Sequence, residues 1–113
     1  MSQAKMIVYS SPSSPDREDD YNKWYNEIHL PEVCAIPGIL SAVRFRMSEE
    51  QMAPGVTVSD HQYMAIYEID ASDFQALLAE LVARSRDGRF TMSDAIDLTV
   101  NPPVTLLFEP LAG

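Results

Sequence analysis

YNKWYNEIHLP, the sequence of residues 21–31, predicts the helix around which we place the other elements of the chain. Its aromatic residues and one isoleucine recur at spacings of three and four, so an α-helix would carry them on one face. His29 lies on the border of that face. Pro31 has no amide hydrogen to donate to the preceding turn, and we expect the helix to kink or restart there. The residues predicted on the shared face are Tyr21, Trp24, Tyr25 and Ile28.

The start of this helix is marked by Ser14 and Pro15. Serine is a common N-terminal cap, and proline is well tolerated at the first helical position. The acidic residues that follow, beginning with Asp16, would interact favourably with the positive end of the helix dipole. We therefore expect the helix to begin at residue 15 or 16.

Four further segments have the composition of β-strands. The third of them has apolar residues at both alternating positions, which is typical of a strand covered on both sides. In the second, Ile39, Val43 and Phe45 would lie on one face, with Arg44 and Arg46 on the other. The four segments are residues 5–10, 39–47, 61–69 and 104–109.

A second helix is predicted from about residue 74, because apolar residues recur at the spacings of one helix face. Ser72 is followed three residues later by Gln75, which matches a capping box. Asp87 and Gly88 supply a stop signal. The buried stripe of this helix would consist of Phe74, Leu77, Leu78, Leu81 and Val82.

Residues 48–60 show no periodicity and contain Pro54 and Gly55, so we expect a loop. It is long for a connection within a compact domain. Two interpretations remain open from the sequence: a lid over a site, or a plain connection between two strands.

The order strand, helix, strand, strand, helix, strand predicts an α+β fold of the ferredoxin-like βαββαβ type. Its four-stranded antiparallel sheet would carry both helices on one face, within a single domain over residues 1–113. The opposite face would then be apolar and uncovered, which monomers seldom tolerate over several hundred Å². We therefore expect a homodimer in which two sheets pack face to face. In the alternative, the 48–60 loop and residues 90–103 fold back over the sheet.

Charge and length exclude several classes of protein. Eight basic against 17 acidic residues give a net charge of −9, which repels phosphate backbones and anionic lipid, so we expect no nucleic-acid or membrane partner. No apolar run is long enough to cross a bilayer. Residues 1–5 lead into the first strand without the apolar region of a signal peptide, and we expect a cytoplasmic protein. The single Cys34 excludes an internal disulfide.

One part of the chain resembles a known family. NKWYNEIHLP at residues 22–31, the Pro37-Gly38 pair and the strand ending in Arg44-Phe45-Arg46 are similar to the EthD-like group of the dimeric α/β-barrel superfamily. The resemblance is specific over about residues 20–46 and covers the rest only as an order of elements. It implies a ferredoxin-like protomer, a dimer whose sheets form a barrel, and a pocket between each sheet and its helices. It implies no single reaction, because the superfamily includes monooxygenases, cyclases and isomerases.

His29 is the candidate catalytic residue, as the resemblance implies. An imidazole both accepts and releases a proton near neutral pH, which suits a general base or acid. Trp24 and Tyr25 would line the surrounding pocket and make it suitable for a small apolar or aromatic molecule. The alternative for His29 is a structural one, in which its ring caps a backbone carbonyl such as that of Tyr25.

Three further residues, together with Tyr25, are candidates for substrate binding. The Tyr25 and Tyr63 phenols carry a donor for a substrate oxygen, and Arg44 carries the charge to bind a carboxylate or polarise a carbonyl. His61 follows Asp60, whose carboxylate would orient its ring. Each residue also has a structural explanation. The tyrosines would pack in the core, Arg44 would lie at a solvated strand end, and His61 would be a loop-end residue.

No metal or other cofactor is expected, because the two histidines lie 32 positions apart and no glycine-rich nucleotide motif occurs. The sequence therefore favours a cofactor-independent catabolic or biosynthetic enzyme of the lyase, isomerase or cyclase type. It would move a proton on an apolar or aromatic carbonyl or phenolic substrate, with His29 as the base. Two alternatives remain: a non-catalytic dimer that binds a hydrophobic ligand, and a cofactor-free monooxygenase.

Overall fold

The central strands of the sheet are β1, Ser2–Ser10, and β3, Tyr63–Ala71, which pair antiparallel in the computed structural model. Strand β2, Ile39–Arg46, joins the free edge of β3, and β4, Val104–Phe108, joins the free edge of β1. The sheet order is therefore β2-β3-β1-β4, which confirms the predicted α+β ferredoxin-like fold. The structure describes residues 2–111.

The first helix consists of four short pieces in succession. A 3₁₀ turn, Pro15–Arg17, leads into α1, Glu18–Trp24, and then into a π-helical turn over Tyr25–His29. Helix α2, Leu30–Cys34, completes the segment. The start at residue 15 agrees with the prediction, but Ser14 does not cap the backbone, because its hydroxyl donates to the Asp16 carboxylate at 2.5 Å.

The π turn corrects the predicted helix face. The Leu30 amide donates to the Tyr25 carbonyl five residues earlier, so the turn contains one residue more than an α-helical turn. This extra residue changes the rotation of the following side chains about the helix axis. Ile28 is consequently 38% exposed, and His29 takes the position next to Trp24 and Tyr25 that Ile28 was expected to occupy.

A bulge near the start of β2 corrects a second assignment. Ile39 pairs with Ile69, whereas Ser41 pairs with Glu68, so one extra residue lies between the two pairs. Ile39 therefore points toward the helices and is buried, while Val43 and Phe45 lie on the opposite face of the sheet. Simple alternation along the strand places Ile39, Val43 and Phe45 on one face, and the extra residue of the bulge is what separates Ile39 from the other two.

Helix α3, Phe74–Arg86, forms as predicted, but Val82 of the predicted buried stripe is 48% exposed, and the helix begins with a different cap. The Asp73 carboxylate accepts the Ala76 amide at 3.1 Å, and the predicted cap Ser72 has no such role. Asp73, one residue later in the chain, accepts a hydrogen bond from a free backbone amide as the serine would have done. It also places a negative charge at the positive end of the helix dipole. Gly88 follows the helix with φ of 85°, in agreement with the predicted stop.

The core lies between the helices and one face of the sheet. The opposite face, which we call the outer face, consists of the residues that alternate with the buried ones in each strand. Most of it is apolar, and apart from the 47–62 loop at one end no described part of the chain covers it: Phe45, Leu106 and Phe108 are 46%, 44% and 52% exposed. The outer face consists of Ile7, Tyr9, Val43, Phe45, Met64, Ile66, Val104, Leu106 and Phe108 with some polar residues.

Two irregular segments complete the structure. Residues 47–62 form a loop, as predicted, and contact one end of the outer face through Thr57 and Val58. Residues 87–103 lie against the helical side instead, where Phe90 and Ile96 are buried. The alternative in which both segments cover the sheet is therefore wrong for this second segment. No helix within residues 2–111 is long and apolar enough to cross a membrane.

Candidate functional site

A cavity of about 420 Å³ lies between the helix-facing side of the sheet, helix α3 and the irregular segment after it. Its size is within the range of small-molecule sites. The walls are mostly apolar, and the first helix contributes Trp24, Tyr25 and His29. The apolar walls include Met6, Val33, Leu78, Leu81, Phe90 and Ile96.

The His29 ring lies among three aromatic side chains. It stacks on Trp24, with ring centroids 4.8 Å apart and planes 21° from parallel. It meets Tyr25 and Phe90 nearly at right angles, at centroid distances of 4.9 Å and 5.7 Å. Because Trp24 and His29 are five residues apart, this stacking depends on the π turn. The ring is therefore held in one orientation at the cavity wall.

The environment of His29 keeps its ring neutral. Burial lowers the pKa of His29 to about 4; the Glu32 carboxylate acts in the opposite direction and the Arg44 guanidinium in the same one. Its Nδ1 atom is buried and has no hydrogen-bond partner in the described chain. The Tyr25 carbonyl already accepts the Leu30 amide, so Nδ1 does not cap it. A buried polar atom without a partner is costly, and such atoms occur often at functional sites.

Thr91 ties the irregular segment to the first helix and so fixes this wall of the cavity. The Trp24 indole Nε1 donates to the Thr91 carbonyl at 2.8 Å. The Thr91 amide and hydroxyl both donate to the Glu32 carboxylate, each at 2.8 Å. Phe90 is thereby positioned beside His29. No local sequence pattern predicts this contact, because residues 32 and 91 are far apart in the chain.

A second phenol beside Tyr25 was missed by the sequence analysis. Tyr67, on β3, lines the cavity and is almost fully buried. Burial raises the pKa of Tyr67 well above its ordinary value, and the neighbouring Tyr25 phenol raises it further. Burial also raises the pKa of Tyr25. The available signal was that Tyr67 alternates with Tyr63, itself a predicted substrate-binding residue, on one face of the same strand.

Arg44 lies on the other side of the Tyr25 ring from the space that His29 lines. Its guanidinium carbon is 4.3 Å from the Tyr25 ring centre, a distance at which cation–π attraction is appreciable. Its two terminal nitrogens donate to the Asn26 and Asn22 side-chain carbonyls at 3.0 Å and 2.9 Å. Arg44 is therefore well ordered, but it lies in an open groove beside β2 and does not line the cavity.

Tyr63 and His61 also lie outside the cavity. The Tyr63 hydroxyl donates to the Glu18 carboxylate at 2.6 Å, in the groove that contains Arg44. The His61 ring is buried, with Nδ1 at 2.6 Å from the Ser11 hydroxyl and Nε2 at 3.0 Å from the Pro102 carbonyl. Ser11, and not the expected Asp60, therefore orients His61. Of the six candidate residues, only Trp24, Tyr25 and His29 meet in one place.

The rest of the described chain offers few other reactive groups. Residues 2–111 contain no group of three or more histidine, cysteine, aspartate or glutamate side chains arranged to hold a metal ion. Burial raises the pKa of the half-buried Cys34 thiol, which disfavours the reactive thiolate.

Comparisons with known proteins identify the fold. No family model matches the chain, and no curated protein matches it. Three solved structures are similar over nearly the whole chain. An EthD family protein from Bacillus halodurans is 15% identical, with a TM-score of 0.55, over 98% of this chain and 100% of the other. A protein described as a putative monooxygenase from Shewanella loihica is 16% identical, with a TM-score of 0.58, over 100% and 99%.

The third is a DABB family protein with a ferredoxin-like fold from Mesorhizobium loti, 15% identical with a TM-score of 0.51, over 99% of this chain and 100% of the other. The structural similarity establishes a shared fold, and at identities this low it establishes the fold alone. The chain thus has the ferredoxin-like fold of EthD family proteins and their dimeric α/β-barrel relatives, as the resemblance of residues 20–46 implied.

Proposed function

We propose that the protein is a small cofactor-independent enzyme that moves a proton on an apolar or aromatic carbonyl or phenolic substrate, as a lyase, isomerase or cyclase. His29 is its general base and then its acid. The observation that carries this proposal is the neutral, partner-free imidazole of His29 at the wall of an apolar cavity. The dry aromatic surroundings strengthen any charge interaction made inside.

A low pKa in the empty site is compatible with this role. An imidazole that stays neutral at physiological pH always has a lone pair available for a proton. When it takes a proton from a substrate, the substrate becomes an anion beside the new imidazolium, and the two charges attract each other in the low-dielectric cavity. Glu32, which raises the pKa of His29, stabilises the same imidazolium. The ring thus gains its proton only together with a substrate anion.

We also propose that two copies associate through the outer face to form the working unit. This face exposes aromatic and aliphatic side chains on its two edge strands, β2 and β4, whereas its apolar residues on the central strands β1 and β3 are half-buried. Face-to-face packing of two such sheets would remove this surface from water, and apolar burial is the main driving force of association. The cavity is on the other side of the sheet, so dimerisation leaves it open to ligand.

The test of the catalytic proposal does not require the natural substrate. A panel of enolisable aromatic ketones and activated phenols is incubated with the protein in D₂O, and the loss of exchangeable carbon-bound protons is followed by NMR. The wild type is expected to accelerate exchange on at least one compound, and His29→Gln to lose this acceleration by about 100-fold or more. His61→Gln is the matched histidine control. Equal exchange by wild type and His29→Gln would reject His29 as the base.

The same protein preparations distinguish two other functions from the proposed one. The strongly apolar cavity wall also suits a protein that binds a hydrophobic molecule without converting it, and a co-purified ligand that remains unchanged over hours would favour that function. The fold neighbour described as a putative monooxygenase suggests oxygen chemistry without a cofactor. Oxygen uptake that depends on an added phenolic substrate would identify this third function.

A further inference from the structure

Two phenols, those of Tyr25 and Tyr67, line the cavity together with His29 and Thr105. Among the other cavity-lining groups, the Trp24 indole donates to Thr91 and the Ser85 hydroxyl donates to the Leu81 carbonyl. Tyr25 and Tyr67 come from different elements, the π turn and β3, and both side chains line the cavity. The cavity therefore combines two hydroxyl donors, on Tyr25 and Tyr67, with a base, the His29 imidazole.

The phenols are suited to donate to an oxygen that carries negative charge. Burial raises the pKa of both, so both hydroxyls keep their protons at neutral pH. The Arg44 guanidinium lies over the Tyr25 ring at 4.3 Å, and no carboxylate lies within 4.0 Å of it in the described chain. This unneutralised cation, in a protein of net charge −9, favours negative charge on the Tyr25 side of the cavity.

We propose that Tyr67, together with Tyr25, donates hydrogen bonds to the oxygen of a planar phenol or enolisable ketone while His29 takes the proton. The proton passes from the ligand O–H or α-carbon C–H to the imidazole, and the electron pair stays on the ligand as a phenolate or enolate. The two phenol O–H groups then hold the anionic oxygen. This inference rests on the proposed function and adds Tyr67 as a catalytic residue and a class of substrate.

The probe is 4-nitrophenol in mildly alkaline buffer, where it is the phenolate and no proton transfer is needed. Its binding is followed by the change in its visible absorption. The wild type is expected to bind it, and Tyr67→Phe to bind it about tenfold more weakly, since a hydrogen bond to a charged group is lost. Tyr63→Phe is the matched control, because its hydroxyl is held by Glu18 outside the cavity, and it is expected to bind like the wild type.

The absorption band of the bound probe gives a second, independent measurement. Hydrogen bonds to the phenolate oxygen shift the band to shorter wavelength, so the band is expected at shorter wavelength in wild type than in Tyr67→Phe. Circular dichroism checks that the variant is folded; if it is not, Tyr25→Phe provides the same comparison. Failure of the wild type to bind the probe, or identical affinity and band position in wild type and the folded variant, overturns the proposal.

His29→Gln separates this inference from the function on which it rests. The weakening of phenolate binding by Tyr67→Phe is expected to be equally large in the His29→Gln background, because the phenol donates to the ionised oxygen with or without the imidazole. His29→Gln is also expected to lose the exchange activity. If His29→Gln loses the exchange activity and Tyr67→Phe still weakens phenolate binding, both proposals are supported: His29 as the base and Tyr67 as the donor. Exchange that survives in His29→Gln rejects the base but leaves the phenol pair testable by its own measurements.

Discussion

At the scale of single residues, His29 combines a fixed orientation with a neutral charge state. The same burial that lowers its pKa makes protonation costly to the fold. In the unfolded chain its pKa is near 6.5, whereas in the folded protein it is about 4. Between these values the unfolded state binds more protons than the folded state, so stability must fall as the pH is lowered through this range.

We therefore predict that replacing His29 flattens the acid side of the stability profile. The stabilisation from the neutral ring is complete above about pH 6.5 and is lost as the pH falls toward about 4. The free energy of unfolding of the wild type should fall by up to about 1.4 kcal/mol per pH unit more steeply than that of His29→Phe in this window. Urea unfolding between neutral and acidic pH measures both slopes. Parallel profiles would show that His29 is not buried in the neutral form.

At the scale of elements, most segments could be predicted and their local irregularities could not. Periodicity identified both helices and all four strands, because their apolar residues recur at helix or strand spacing. The π turn and the β2 bulge each insert one residue, and periodicity counted without them assigns Ile28 and Ile39 to the wrong faces. Nothing in the local sequence marks either insertion, since the helix or strand pattern continues on both sides.

The same limit applies to the candidate site. Trp24, Tyr25 and His29 could be predicted because they lie on one short segment. Tyr67 and the contact between Glu32 and Thr91 depend on how distant segments meet, which no local pattern shows. Arg44 and Tyr63, predicted as substrate-binding residues, contact Asn26 and Asn22 of the first helix in the groove beside β2 and do not line the cavity. The strand and helix assignments alone do not show whether a residue near Tyr25 lines the cavity or the groove.

The tie between Thr91 and Glu32 leads to a prediction about the irregular segment that closes the cavity. Thr91→Val removes one of the two hydrogen bonds to the Glu32 carboxylate, at a cost of about 1–2 kcal/mol to the local structure. Amides near residue 90 should then exchange hydrogen several-fold faster, while amides of β1 and β3 remain unchanged. Thr99→Val is the matched control, because Thr99 is exposed. Equal exchange rates in the two variants would contradict a role for this tie.

At the scale of the whole molecule, the outer face exposes apolar side chains on both edge strands of the sheet. Its apolar strips on β2 and β4 lie at the two edges of the sheet, so a partner that covers it must span its whole width. A second copy of the same sheet has this width and the same composition. The 47–62 loop contacts one end of the face and would lie at the rim of such an interface.

We predict that the wild type has twice the mass of one chain in solution and that a charge on the outer face reduces it. Phe45→Glu and Leu106→Lys place a charge among residues that would be buried, which costs several kcal/mol unless the copies separate. Size-exclusion chromatography with light scattering measures the mass. Ile28→Glu, on the exposed side of the first helix, is the control and should remain dimeric. A monomeric wild type would leave the outer face without its proposed partner.

The stacking of Trp24 on His29 has a practical consequence. Trp24 is the single tryptophan of the chain, so all indole emission comes from the wall of the cavity. A protonated imidazole in contact with an indole quenches its fluorescence, whereas a neutral one does so much less. The protein therefore carries an intrinsic optical indicator: its emission follows the charge of His29 without a label. A compound that enters the cavity and transfers its proton should dim this signal at once, so libraries can be screened by emission before any product is known.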